Sequence, residues 1–559
     1  MAETTTPSEA LAAQRGTKLT DALMSGDGRA RQLAATAVAP LDGGQRVQVI
    51  DTLAQVLGGA YCHLPQKRAG YAIDPVQALQ LLRRRCIEMT DSEFHIALTG
   101  LVAGLRDAHT RYVGPAPLHG RVATLGFLVE QHGSYTDPTF IVTNLAAGAD
   151  IDERSFVPGV ELEWWNGIPF GRAVDLYADR ETGGRPDARR ARALESLTFR
   201  ALDYGPPPDE HRVDIGYRTR RGAARELRLP WRVVEPGTAA TAVRPGSRAS
   251  LRLGANLAAE AVRRTKKLMF APDFWYADRT GAAVSSTSWL PTELHDTLAA
   301  RTVATRRGEF AYLRIWSFDV DDDDAFVAEV ARLVGQLPQR GLIVDLRGNP
   351  GGLIWAAERL PQLFTANQVT PTRFSLLASP LTRAMAASPF NRLELDPWAP
   401  SLEDAIATGE LYSQPLPLTH PDWCNDVGRR YDGPVVAVVD PNTYSSGDLF
   451  AAGFVDNQVG PLVCVGEATG AGGANVWTGA QLRDALAGTS YGFPTLPAGI
   501  GFTLSVRRAI RSGAADGVPI EDLGVGGIPY AMTRRDLLDS NRDLLEFCAN
   551  ILASQRPPP

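Results

Sequence analysis

The chain has 559 residues, of which 44% are hydrophobic and 21% charged, with a formal net charge of −6; it is too long for one compact core and is expected to divide into roughly two to four domains. Its arginines are scattered rather than blocked, which excludes the electrostatic footprint of a nucleic-acid binder. The five cysteines are odd in number, widely spaced and without a C-x-x-C pair, so neither a disulfide framework nor a zinc site is indicated, and a reducing compartment fits.

Residues 1–45 are small, polar and Ala-rich, with "SGDG" and "DGGQR" turns, and are expected to form a flexible leader. They lack the basic start and apolar run of a secretory signal, and no stretch in the chain approaches about 18 apolar residues, so a cytoplasmic protein without a membrane span is expected. Residues 46–120 carry helical apolar spacing, as in "VQALQLLRRRCIEM" and "DSEFHIALTGLVAGL", the latter opening on an Asp or Ser able to cap it. Residues 121–235 hold short β-type runs such as "TFIVTNL" and "HRVDIGYRTR", broken by Gly and Pro and by a polar insertion near 180–210. From 236 onward a basic amphipathic stretch, "LAAEAVRRTKKLMF", reads as a solvated helix face. Apolar strands then alternate with helices from about 308: "FAYLRIWSF", "GLIVDLRGN", "PVVAVVD", "SGDLFAAGFV" and "LVCVGE". That alternation predicts an α/β layered core with a largely parallel sheet, occupying 236–559.

In such sheets reactive groups gather where strands end and helices begin. Two junctions qualify. In "GLIVDLRGNPGGLIWAAERL" the strand ends at Asp345 and a Gly-rich turn follows, where backbone N–H groups can point together at a ligand oxygen; an ordinary turn with an Asp345–Arg347 pair explains the same residues. In "TYSSGDLFAAGFV", Ser445-x-x-Asp448 matches a capping box, yet a nucleophilic serine at a helix start would set its oxyanion near backbone donors and the positive helix end. The two roles coexist if Ser446 is the cap.

A serine nucleophile requires a base, and the base an orienting acid. Of the eight histidines, His63, His95, His119, His132, His211, His295 and His420 stand in structural or surface contexts. His109, in "GLRDAHTRYVGP", lies where a helix gives way to a loop. Glu521 and Asp522, in "GVPIEDLGVGGIPY", precede a Gly-rich loop. Taken singly, His109 reads first as a helix-terminal histidine stabilising the dipole and the acids as solvated.

Together, "DAHTRY", "GLIVDLRGNPGG", "TYSSGDLFAAGFVDN", "VGEATGAGG" and "IEDLGV", in that order, resemble the C-terminal processing (tail-specific) serine peptidases over roughly residues 55–540. The resemblance implies a crotonase/ClpP-like α/β core with an N-terminal helical domain and an inserted PDZ-like module over 121–235. Many members use a Ser–Lys dyad, but the position matching the lysine is Gly472, and no other lysine lies near that loop in sequence. The branch of tricorn-type proteases and the protease-like activity factor uses Ser, His and Glu instead. By this resemblance Ser445 is the nucleophile, His109 the base and Glu521 its orienting acid. Ser446, Gly351 and Gly352 would form the oxyanion hole. Leu125-Gly126-Phe127 resembles the carboxylate-binding loop of PDZ domains and would bind substrate.

The resemblance thus implies a serine endopeptidase acting on protein or peptide substrates, with no metal or organic cofactor and with oligomerisation left open. Two alternatives stand beside it: a catalytically silent PDZ-containing scaffold of the same fold, which loss of the lysine would favour, and a crotonase-like acyl-CoA enzyme, for which the sequence offers no CoA phosphate site.

Overall fold

The computed structural model describes residues 40–115, 119–134, 136–146, 151, 153–202, 204–234, 253–270, 289–388 and 395–555; most of the expected leader lies outside them. The chain folds as a mixed α/β protein around a six-stranded sheet. Its order is Leu298–Thr305, Gly308–Ile315, Leu342–Asp345, Val435–Val439, Leu462–Ala468, Gly526–Tyr530. The inner four run parallel and the two edge pairings are antiparallel. Every residue of Leu342–Asp345 and of Val435–Val439 is buried, as expected for parallel strands covered on both faces. Alternate side chains separate into two cores. Leu342, Val344, Val435 and Ala437 face the layer of helices Asp323–Gly335 and Ser446–Asp456, while Ile343, Val436 and Val438 face helix Arg542–Ser554.

Four helices, Gly43–Gly59, Leu64–Tyr71, Pro75–Arg85 and Asp91–Ala103, form the N-terminal layer. The last is capped by Thr90, reciprocally with Glu93, rather than by Asp91 or Ser92. The apolar faces of this layer join the same core as the main sheet. The chain then enters strand Arg111–Val113, which pairs antiparallel with Gly501–Ile510. That pairing carries the loop with His109 onto the α/β core.

The region after it forms an antiparallel sheet of Phe127–Gly133, Pro138–Leu145, Glu161–Trp165, Arg212–Arg218 and Ala224–Pro230, with a core of its own that includes Phe127, Trp165 and Trp231. The polar 180–210 insertion contains helix Pro186–Ser196, whose Arg189, Arg190 and Arg192 are buried. Helix Leu257–Phe270 corrects the expectation of a solvated basic face. Arg263 pairs with Glu260 at 2.7 Å and Asp296 at 3.2 Å, Arg264 with Glu260 at 2.7 Å, and Lys267 packs 4.1 Å from the Trp316 ring. Its charges look inward because Glu260 on the same helix, together with Asp296 and Asp319 from later in the chain, neutralises them. Among the described residues no helix is long and apolar enough to cross a membrane.

Candidate active site

Strand Val435–Val439 ends in a tight turn at Asp440, whose Oδ1 accepts the N–H groups of Gly348 (2.8 Å) and Asn442 (3.1 Å) and the hydroxyl of Thr443 (2.9 Å). Tyr444 N–H donates to Asn349 O at 2.8 Å. Ser445 follows with φ 63° and ψ −119°, a conformation that costs a non-glycine residue about 1–3 kcal/mol and is kept where a strained strand-to-helix turn exposes a nucleophile. Asp448 Oδ2 accepts the N–H groups of Ser445 at 2.6 Å and Gly472 at 2.9 Å, and its Oδ1 accepts that of Ala471 at 3.1 Å. Burial pushes this carboxyl up to about 6, against the pull of those hydrogen bonds. The expectation that Ser446 caps the helix is corrected. Ser445 occupies the cap position, and Ser446, already helical, donates its Oγ to Gly254 O at 3.0 Å and Gly352 O at 3.1 Å.

The histidine loop meets this turn from 336 residues away: His109 Nε2 lies 2.7 Å from Ser445 Oγ, both side chains buried. Asp107 holds the loop, accepting His109 N–H, Thr110 Oγ1 and Ser505 Oγ, each at 2.8 Å. Thr503 Oγ1 donates to His109 O at 2.6 Å. Tyr444 joins the two halves, its hydroxyl accepting Ala108 N–H at 3.2 Å and its ring lying 4.6 Å from that of His109. Burial holds His109 down at about 4, with the Asp107 carboxylate acting in the opposite direction. The imidazole is therefore neutral near pH 7. With Nε2 accepting from the serine hydroxyl, its proton sits on Nδ1, and Nδ1 is buried without a hydrogen-bond partner.

Glu521 makes no hydrogen bond to the His109 ring. Its Oε1 accepts from Lys67 Nζ at 2.6 Å, and its Oε2, without a hydrogen bond, stands 3.8 Å from His63 Nε2. Lys67 also reaches Asp522 Oδ1 at 2.5 Å and Arg106 O at 3.0 Å. Burial favours the neutral amine, but Glu521, Asp522 and Asp107 together hold Lys67 charged, above its ordinary range. Burial, with Asp107 and Asp522, favours the neutral Glu521 acid, but the ammonium 2.6 Å from Oε1 outweighs them, and the two stand as an ion pair with Glu521 a carboxylate. His63, Asp107 and Glu521 each offer a ligand atom, all within 4.8 Å of one another. As a metal site this set is poorly open: Asp107 already takes three donors and an ammonium sits on Glu521.

His63, Lys67, Asp107, Tyr444 and Asn349 also belong to the site, and little in the sequence marks them. The spacing His63-x-x-x-Lys67 puts both on one side of a helical turn, and Asp107-x-His109 permits a local side-chain to backbone bond; these were the available signals. Gly472 gains a steric reason. A Cβ there would stand 2.2 Å from the Tyr444 ring, so the tyrosine fills the space a lysine at that position would need.

The expected oxyanion donors divide. Gly351 N–H is corrected, since it donates to Asn349 Oδ1 at 2.9 Å. Gly351 serves close approach instead: φ is 97°, and a Cβ would lie 2.6 Å from Ser445 Cβ and 3.0 Å from Ser446 N. Gly352 pairs with Gly254 of strand Leu253–Ala255, which crosses the site so closely that a Cβ on Gly254 would come 2.9 Å from Ser445 Oγ. Ser446 N–H lies in the first turn of its helix, where intrahelical acceptors are lacking. Leu125-Gly126-Phe127 is corrected as a carboxylate-binding loop. Leu125 N–H donates to Thr198 O at 3.1 Å and Gly126 N–H to Thr124 Oγ1 at 3.0 Å, and the Leu125 and Phe127 side chains lie in the β-rich core.

Residues 309–495 match the family model described as Peptidase family S41, a span that includes Gly351, Ser445 and Gly472 but neither His109 nor Glu521. No curated protein matches the chain. Among solved structures, mature CPAF is 18% identical, with 92% of this chain and 99% of that one covered and a TM-score of 0.64. Mature CPAF complexed with lactacystin is 18% identical over 91% of this chain and 99% of that one, with a TM-score of 0.60. The photosystem II D1 C-terminal processing protease is 14% identical over 91% and 98%, with a TM-score of 0.40. At these identities the first two establish a shared fold.

Proposed function

We propose that this chain, whose residues 309–495 match the model of Peptidase family S41, is a serine endopeptidase cutting protein substrates through an acyl-enzyme on Ser445. Ser445 Oγ attacks the scissile carbonyl while His109 Nε2 takes its proton. The same imidazolium then protonates the leaving amine, and water, activated by His109, hydrolyses the ester. Glu521 stabilises the imidazolium. Ser446 N–H is the first oxyanion donor and Gly352 N–H the second, each worth on the order of 10²–10³ in rate. The substrate backbone pairs with Gly351–Leu353, so it takes the place of Leu253–Ala255, which must move aside. The core is read as crotonase/ClpP-like and the 121–235 module as PDZ-like in fold, without capture of peptide C-termini by Leu125–Phe127. A reducing, cytoplasmic setting is proposed on five free, buried cysteines.

The observation that carries this reading is the 2.7 Å contact of Ser445 Oγ with His109 Nε2 on a strained turn. The test is time-resolved mass spectrometry of reduced casein incubated with the protein and with Ser445→Ala side by side. Fragments from the unaltered protein alone support it, and their ends give the cleavage preference. Equal fragmentation by both would remove Ser445 from the chemistry, and none from either would favour the silent scaffold.

A further inference from the structure

Buried polar atoms without partners cost about 1–3 kcal/mol each, and a cluster of them calls for a functional reason. Three residues of this site carry such atoms. His63 is wholly buried with neither ring nitrogen hydrogen-bonded, Glu521 Oε2 is unbonded, and so is His109 Nδ1. They are complementary in kind: the carboxylate oxygen only accepts, and each neutral ring donates through one nitrogen. His63 and His109 are near enough that a charge on His109 lowers the proton affinity of His63.

We infer that His63 is a positioning residue of this site, its imidazole backing the free oxygen of Glu521 while Lys67 holds the other, so that the carboxylate is presented to His109 in one orientation. The inference rests on the triad reading proposed above.

The surroundings of His63 fix it for that task. Cys62 N–H donates to Ser505 O and Tyr412 Oη to Cys62 O, each at 3.0 Å. On the other side Lys67 N–H donates to His63 O at 2.9 Å, so His63 and Lys67 stand four residues apart and address the two oxygens of one carboxylate. The Tyr61 ring lies edge-on to the imidazole at 5.9 Å. The His63 Nε2 to Glu521 Oε2 separation of 3.8 Å exceeds a hydrogen bond. Catalytic hydrogen bonds are often long in the free enzyme and tighten as charge develops, here as His109 becomes imidazolium. A neutral donor suits the place. Asp107, Glu521 and Asp522 already surround one ammonium, and a histidine orders the carboxylate without cancelling the negative charge that His109 needs.

The experiment compares His63→Phe, which keeps the ring shape and loses the donor, with His63→Gln, which keeps an N–H donor and cannot titrate. Readouts are kcat and KM on casein, and the rate at which a fluorophosphonate labels Ser445, from pH 4 to 9. For His63→Phe we expect kcat and labelling to fall about 10–100-fold with KM nearly unchanged. The acid limb should move to higher pH, because removing a donor from a carboxylate raises the proton affinity of the Glu521–His109 pair. His63→Gln should restore both rate and limb. A Gln variant as impaired as the Phe variant with an unmoved limb, or a Phe variant equal to the original, overturns the inference. Should His63→Phe not fold, His63→Met takes its place. Glu521→Gln separates the two readings. If it is fully active the triad reading itself fails; if it is impaired while His63→Phe is not, only the role of His63 fails. With both correct, His63→Phe adds little in the Glu521→Gln background.

Discussion

The serine side of the site and its histidine–acid side are built differently. Ser445, Asp448 and the Asp440 turn belong to one strand-to-helix junction, and the Gly351 turn is the neighbouring junction of the same sheet. The other side is assembled from three distant places: His63 with Lys67, Asp107 with His109, and Glu521 with Asp522, joined across 454 residues between Lys67 and Glu521. The first side is the local consequence of a parallel strand running into a helix. The second exists only when the N-terminal helices dock on the core, and it holds the buried Lys67–Glu521 pair and Asp107.

The comparison can be broken most severely at the contact between the two sides. Ser445→Ala and His109→Ala should each lower turnover by about 10⁴ or more, and the double variant should be little worse than either, because the pair acts as a unit. Casein hydrolysis by His109→Ala close to that of the unaltered protein would show that the two sides do not cooperate. Next in size, Lys67→Met leaves the buried Glu521 without its cation and should cost about 3–5 kcal/mol in urea unfolding. A loss of under 1 kcal/mol would mean that this cluster is open to water.

The acid response sharpens the same contrast. Burial holds His109 and His95 at about 4 and His63 at about 3, whereas unfolded histidine titrates near 6.5. Between roughly pH 6.5 and 4 the unfolded chain therefore binds more protons than the folded one, and stability falls as the pH falls, by up to about 4 kcal/mol per pH unit if all three contribute. Above about pH 7 these groups add nothing to the pH dependence. Buried acids that are pushed up, such as Asp448 at about 6, act in the opposite sense, so calorimetric melting between pH 4.5 and 7.5 is compared with that of His95→Gln; an identical slope for both would count against a buried neutral ring at His95. The smallest effect belongs to the serine side. Gly472→Ala drives a Cβ against the Tyr444 ring and should cost about 1–3 kcal/mol, with activity falling because Tyr444 also holds the histidine loop. Unchanged melting and rate would show that the ring has room to yield.

Much of the serine side could be read in advance because it obeys local rules. The apolar runs "GLIVDL" and "PVVAVV" became adjacent parallel strands, and the Gly-rich and Ser-rich turns fell at their ends. The reading failed where a backbone group had several available partners. "LGF" looked free to bind a carboxylate, but Thr198 and Thr124 take the N–H groups of Leu125 and Gly126. Gly351 looked like an oxyanion donor until Asn349 was found to hold its N–H. The basic face of 257–270 reads as solvated because two of its acidic partners, Asp296 and Asp319, come from later in the chain and add to Glu260 within it.

Residue order alone determined the α/β core, the position of Ser445 at a strand-to-helix turn and the absence of lysine at 472, since each depends on periodicity or on one residue's identity. Tertiary structure alone decided that His109 reaches Ser445, that Lys67 and His63 flank Glu521 and that Gly254 lies over the serine. Those relations are distances between segments hundreds of residues apart, and no local propensity encodes such a distance; packing of the helical layer and of Leu253–Ala255 against the core sets it.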